Sequence, residues 1–436
     1  MGATPSFVLD ALFLLFDRGR KAVGKTIIEK IIEAHSSEDS VSPGDVVWIE
    51  LDGRTARDFG GANVVLNYRR EFDDTPVADR EKTWFTFDCV APAKNIPYAN
   101  NQQICREFAR AQGLRVFDVD MGIGSHVDIE QGLILPGETL VGTDSHLNIL
   151  GAIGAFGQGM GDVDIAFAFR TGKTWFEVPE TMKLVVKGNF SYPVSPKDLI
   201  LYILRQLGSR GALGKAIEFY GEAVEKLSLD GRITVASMVT EMGGIVGFIP
   251  PDEGVIEFCR SRSGREIVPV YADPGASYRE EVEIDIGSLS PQIALPPKPD
   301  NVVDVTEVAG ERIDSVFIGS CTNGRVEDFE VVAKILKGKK VKEGVMVKAV
   351  PATKEVYGEL LKRGILEVLY DAGVIVSNPG CGGCASGQIG MTGKGEVQIS
   401  TANRNFPGKQ GAGLTYLASP ATAAISALTG RITVPE

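Results

Sequence analysis

An α/β fold built on parallel sheets is what this sequence predicts, on three observations. Short apolar runs alternate with stretches of helical periodicity along most of the chain. Glycine is abundant, at 51 of 436 residues, which favours a loop-rich enzyme over a helical scaffold. Polar residues fall where apolar runs end, at Asp88, Ser125-His126 and Asp144-Ser145-His146. In parallel sheets, ligands gather at the carboxyl ends of strands.

The length exceeds what one hydrophobic core serves, so two or three domains are expected. A formal net charge of −12 argues against broad nucleic-acid binding, while a few local cations would still suit an anionic substrate. Six cysteines are too sparse for a disulfide scaffold and point to a reducing, cytoplasmic setting. No apolar run is long enough to span a bilayer. Residues 1–22 read as an N-terminal extension. Its apolar run precedes Arg18, Arg20 and Lys21, the reverse of an export signal.

In chain order, a first α/β domain is expected over 23–178. Ile27, Ile28, Ile31 and Ile32 share one helical face, and His35 reads as a solvated helix end. Apolar runs predict strands at 46–51, 84–90, 115–119 and 139–146, with a helix at 101–112 and a loop at 122–126. The Gly-rich stretch 151–161 lacks the Lys-Ser/Thr of a phosphate loop and reads as a close-packed helix start. A second domain is expected over 179–290, with helices at 195–207 and 212–226 and a helical stretch from 233 to Glu241. Pro291 to Asn301 is rich in proline and reads as a linker. A third α/β domain follows over 302–436, with strands at 314–319, 345–350 and 373–377 and helices at 327–337 and 354–364.

The chemistry centres on Cys381-Gly-Gly-Cys384 and on Cys321, within Gly319-Ser-Cys-Thr-Asn-Gly-Arg325. Three thiolates converging from loops suit an iron–sulfur cluster; a zinc ion would also accept them, and Cys381 with Cys384 could form a redox disulfide. Neither motif holds a fourth cysteine, so one iron of a cubane would lack a protein ligand and act as a Lewis acid. Loss or addition of water needs a proton donor and acceptor as well. Asp144 and His146 would share a face of an extended strand, with Ser145 on the other, which argues against a hydrolase triad. Arg404 and Lys409 lie in a polar loop, Asn403-Arg-Asn-Phe-Pro-Gly-Lys409, where Arg404 could hold a carboxylate by two bonds.

Taken together, Asp144-Ser145-His146, the Cys321 motif, the Cys381/Cys384 motif and Asn403-Arg-Asn-Phe-x-Gly408 resemble the aconitase superfamily, in the form of the 3-isopropylmalate dehydratase and homoaconitase large subunits. The resemblance runs from about Gly24 to Ile432. It implies a three-domain core with parallel and mixed sheets around a [4Fe-4S] cluster held by Cys321, Cys381 and Cys384. It implies an iron–sulfur hydro-lyase acting on a small anionic hydroxy di- or tricarboxylate. The family's swivelling fourth domain would be a separate small subunit carrying the serine base. Dimethylmalate- or maleate-type hydration, or a non-catalytic iron or redox sensor, are the alternatives.

The carry-over implies catalytic roles for Asp88, Cys89, His126, Asp144, His146 and Glu241, and substrate binding by Ser145, Asn403, Arg404 and Lys409. Cys89 stands where the family has histidine, and Ser125 where it has another, with His126 one position along. Ser237 replaces a family asparagine, and Lys409 an arginine. Cys89 is then a thiol acid/base, a packed thiol, or a group able to close the open iron.

Overall fold

The computed structural model describes residues 24–385 and 388–436; the N-terminal extension lies outside the described residues. Five parallel strands form the first sheet, in the order Arg115–Phe117, Thr83–Thr86, Gly53–Arg57, Thr139–Gly142, Phe156–Gly159. Its central strand, Gly53–Arg57, is not apparent in the sequence, because two of its five residues are arginines. Arg54 is nevertheless buried, donating to the carbonyls of Leu51 and Asp79 at 3.2 and 3.1 Å. The strand at Val46–Glu50 instead pairs antiparallel with Lys173–Glu177 in a separate ribbon.

Helix Ile27–His35 starts at a capping box, in which Glu29 accepts from the Thr26 amide at 2.9 Å. Its four isoleucines are fully buried, each worth about 1.5–3 kcal/mol against exposure. His35 is not solvated. Its Nδ1 lies 2.7 Å from the Ile31 carbonyl and its Nε2 2.8 Å from Asp52. Burial opposes charge on this ring, but Asp52 and the carbonyl outweigh it and hold its pKa above the usual value.

The Gly-rich stretch is a 3-10 helix, Leu147–Ile153, followed by strand Phe156–Gly159. The close packing is real: a Cβ at Gly157 would sit 2.1 Å from the Leu147 carbonyl. The helix begins later, at Asp162.

A second, four-stranded parallel sheet runs Val246–Phe248, Ala216–Tyr220, Thr181–Lys187, Glu280–Asp285. Residues 212–226 are therefore not one helix. Gly214 and Gly221, both at positive φ, bracket strand Ala216–Tyr220, which has parallel partners on both sides; only Glu222–Glu225 is helical. Pairing in the sheet overrides a helical composition.

The third sheet has seven strands, in the order Val302–Asp304, Gln292–Ala294, Leu414–Ala418, Val397–Ser400, Ser315–Gly319, Met346–Val350, Ile375–Val376. The first two pairings are antiparallel and the rest parallel. Gln292–Ala294, read above as linker, is thus a fully buried strand inside this sheet. The helix expected at 354–364 is present as Lys354–Lys362, and after the left-handed Gly364 a further helix, Ile365–Ala372, follows. Among the described residues no helix is long and apolar enough to cross a membrane.

Of the apolar cores that result, one positions the site. It joins Trp84 of strand Thr83–Thr86, with Ile123 and Leu147 from beyond the first sheet's strands, to Ile233 and Ala236, and to Cys321, Ala352 and Cys381 from the third sheet's loops. The junction is pinned by the Ile123 amide on the Ala352 carbonyl at 2.8 Å. The carboxyl ends of two parallel sheets therefore face one another.

Candidate functional site

Between those strand ends lies a cavity of about 380 Å³ lined by Arg57, Phe59, Cys89, Asp144, Ser145, His146, Ser320, Cys321, Cys381, Cys384, Arg404 and Lys409, among others. Cys321 follows strand Ser315–Gly319, and its loop turns through Ser320 at φ 71°. A buried non-glycine residue there stores about 1–3 kcal/mol of strain, held by the surrounding fold. Cys381 caps the 3-10 turn Gly382–Cys384, and Cys384 ends it. Gly382, at φ +57°, admits no side chain, since a Cβ would meet the Phe317 ring at 2.8 Å.

The three cysteines fit a cluster better than a single ion. Around one zinc ion, sulfurs lie about 3.8 Å apart, from Zn–S bonds near 2.3 Å and tetrahedral angles. Cys321, Cys381 and Cys384 do not all come within 4.8 Å of one another; among the described residues the group that does is Asp88, Cys89 and Cys381. Thiols spread around a shared cavity match ligands to several irons.

Arg57 is the residue that the sequence reading missed. It ends the overlooked central strand, and its guanidinium reaches Asp88 through Nε at 2.7 Å, Asp144 through Nη1 at 2.8 Å and the Cys381 sulfur through Nη2 at 2.6 Å. The available signal was a polar Arg57-Asp58 pair leaving a short run. Burial pushes Asp88 up and Arg57 only partly opposes it, leaving its pKa at about 6. At Asp144 burial also pushes up, but Arg57 and then His146 outweigh it and hold the carboxyl below its usual value. Asp58 organises the neighbouring loop, accepting from the amides of Asp88, Cys89 and Val90 at 3.2, 2.9 and 3.1 Å.

Strand Thr139–Gly142 ends before Asp144, so alternation no longer governs the next residues, and Asp144, Ser145 and His146 all line the cavity. Ser145 Oγ lies 3.1 Å from His146 Nδ1. Asp144 accepts from the His146 amide at 2.9 Å rather than from the ring, so no hydrolase triad forms. His146 Nε2 faces Asn403 Nδ2 at 2.5 Å and Glu241 Oε1 at 3.2 Å. That nitrogen accepts from Asn403 when bare and donates to Glu241 when protonated. Glu241 in turn accepts from Arg404 Nε at 2.7 Å. Burial lowers the His146 pKa; Glu241 raises it and Arg404 lowers it, and the ring ends below its usual value. Glu241 is buried, not a solvated helix face.

Behind the loop, fully buried Lys197 donates to the carbonyls of Thr401 and Ala402 at 3.0 and 2.8 Å, fixing the approach to Asn403.

His126 is placed differently from the other candidates. It sits in helix Gly124–Glu130, fully buried, with Nε2 3.0 Å from the Cys321 carbonyl and outside the cavity wall. The loop expected at 122–126 thus becomes a helix, because Gly124 N binds Asp88 Oδ2 at 2.7 Å and starts the turn. Ser125 is also buried, its Oγ without a partner among the described residues. Burial, then Arg325, pushes the His126 pKa down to about 3. In the unfolded chain the ring titrates near 6.5. Between these values the unfolded state binds the extra proton, so stability falls as pH drops through this window. From pH 6.5 to 4.5 the loss from this residue should be about 2–3 kcal/mol. In His126→Gln, which can still donate to Cys321, urea midpoints should lose this acid sensitivity; an unchanged slope would remove His126 as its source.

The sequence pattern of the aconitase family (aconitate hydratase) matches residues 27–430. The 3-isopropylmalate dehydratase large subunit 1 of Methanopyrus kandleri is 43% identical over 417 residues, 95% of this chain and 99% of that protein. The 3-isopropylmalate dehydratase large subunit of Halothermothrix orenii is 42% identical over 418 residues, covering 95% and 99%. A probable methanogen homoaconitase large subunit of Methanosarcina mazei is 45% identical over 389 residues, covering 89% and 99%. Matched along nearly its whole length, the chain belongs to the aconitase family.

Proposed function

We propose that this chain is the large subunit of an iron–sulfur hydro-lyase that dehydrates and rehydrates a small hydroxy di- or tricarboxylate, in the manner of 3-isopropylmalate dehydratase. The observation that carries the reading is the single cavity that gathers Cys321, Cys381 and Cys384 with His146, Arg404 and Lys409. The cysteines would hold a [4Fe-4S] cluster, which when bound supplies a Lewis-acidic iron for a substrate hydroxyl.

The protein's own groups do the rest. Arg404, anchored on Glu241 through Nε, and Lys409 provide the cationic wall for a carboxylate. His146, kept neutral at pH 7 by its environment, takes up a proton at Nε2, and Glu241 steadies the resulting charge. Asp144 stays ionised and fixes the His146 backbone. The relatives' designation as large subunits supports a separate small subunit; the family resemblance assigns to that subunit the base for the C–H proton.

The test is anaerobic reconstitution with iron and sulfide, with and without the small subunit, against a panel of hydroxy dicarboxylates and tricarboxylates. Ultraviolet absorbance of the unsaturated product should rise only when both chains are present. Homocitrate turnover exceeding that of 3-isopropylmalate would favour the homoaconitase reading, which the Methanosarcina mazei relative supports. A cluster-loaded pair with no product from any substrate would defeat the enzyme reading.

A further inference from the structure

Cys89 meets Cys381 across the junction between the first and third sheets. The Cys381 amide donates to the Asp88 carbonyl at 2.9 Å, so the two backbones run side by side one peptide away from both thiols. A disulfide joins backbones whose Cα atoms lie roughly 4.4–6.8 Å apart, so it needs neighbouring chain segments of this kind. The two sulfurs already lie within 4.8 Å of one another. The Cys89 loop is held rigid by Asp58, which takes three consecutive amides and also the Gln102 side chain at 3.1 Å. Arg57 Nη2 donates to the Cys381 sulfur at 2.6 Å and fixes its position beside the Cys89 loop. Cys89 and Cys381 both line the cavity, so a small oxidant entering with solvent meets them.

We propose that Cys89 is a resolving thiol for Cys381: when the cluster is lost, peroxide joins the two as a disulfide that thiol reductants reverse. The proposal rests on the reading of Cys381 as a cluster ligand. The chemistry balances with hydrogen peroxide as oxidant. The Cys381 thiolate attacks one peroxide oxygen, an S–O bond forms, the O–O bond breaks, and the released hydroxide is protonated to water. Cys89 then attacks the sulfenic sulfur; the S–S bond forms, the S–O bond breaks, and the departing hydroxide carries off the Cys89 proton as a second water. Two thiols and one peroxide become one disulfide and two waters. Without Cys89, further peroxide would carry Cys381 to sulfinic acid, which thiols do not reverse.

The experiment uses the full chain loaded with its cluster, exposed to hydrogen peroxide with an iron chelator, then alkylated in denaturant, digested and mapped by mass spectrometry. The expected product links the Cys89 and Cys381 peptides, about 2 Da lighter than their sum, and disappears on reduction. Cys89→Ser should instead show Cys381 heavier by about 32 Da, and its iron recovery after dithiothreitol should fall roughly fivefold relative to the parent. A dominant Cys381–Cys384 link in the parent chain overturns the proposal, as does full recovery in Cys89→Ser. Should Cys89→Ser fold poorly, the peptide link in the parent chain still decides. Failure of the ligand assignment is read separately, as retention of full iron content in Cys381→Ala.

Discussion

Arg57→Met is expected to destabilise the chain by about 3–5 kcal/mol, the cost of stranding buried charge when one partner of a buried ion pair is removed. The side chain is 11% exposed and serves two carboxylates that are themselves almost fully buried. Desolvation works against every member of this group, and at Asp144 the shared guanidinium is the largest contribution offsetting it. Without it, Asp88 and Asp144 would face each other with no cation between them, and the Cys381 sulfur would lose its donor. Urea unfolding should show a lower midpoint with an unchanged slope, and iron per chain after reconstitution should fall as well. Arg57→Lys should recover only part, because an ammonium cannot reach three partners in a plane. A midpoint within error of the parent would show that the two carboxylates are compensated elsewhere.

His146→Asn should lower kcat by about 10²–10⁴ while leaving iron content and fold intact. The ring nitrogen facing the cavity is the only imidazole Nε2 among the described residues with both a donor and an acceptor side chain beside it, in Asn403 and Glu241. Asparagine at position 146 keeps polarity but cannot carry a proton at neutral pH. KM should move by only a few fold, since Arg404 and Lys409 remain to bind a carboxylate. An equal loss in KM alone would make His146 a binding group instead. The contrast with His126 is instructive, for that histidine has one bond to a backbone carbonyl and no route to the cavity.

The strands and helices of the three sheets were legible to different degrees. Strand Ser315–Gly319 and helix Val326–Leu336 were readable because an apolar run and an amphipathic face each leave a plain period. Strand Gly53–Arg57 was not, since its arginines satisfy their charge through the carbonyls of Leu51 and Asp79 and the carboxylates of Asp88 and Asp144. Strand Gln292–Ala294 was hidden for another reason. Its proline-rich flanks read as linker, and pairing with Val302–Asp304 on one side and with Leu414–Ala418, over a hundred residues later, on the other makes it a strand.

By itself the sequence determined the alternation of strands and helices, the three cysteines, the Asp144-Ser145-His146 segment and the Arg404 loop. These follow from residue type and spacing, which are local properties. The tertiary structure alone decided which of those groups meet. It set Arg57 between Asp88, Asp144 and Cys381, turned His126 away to support Cys321, and brought Glu241 from the second sheet's helices onto His146. The reason is physical: burial makes every charge in the site depend on partners tens to hundreds of residues away, and no local pattern in the chain records those distances.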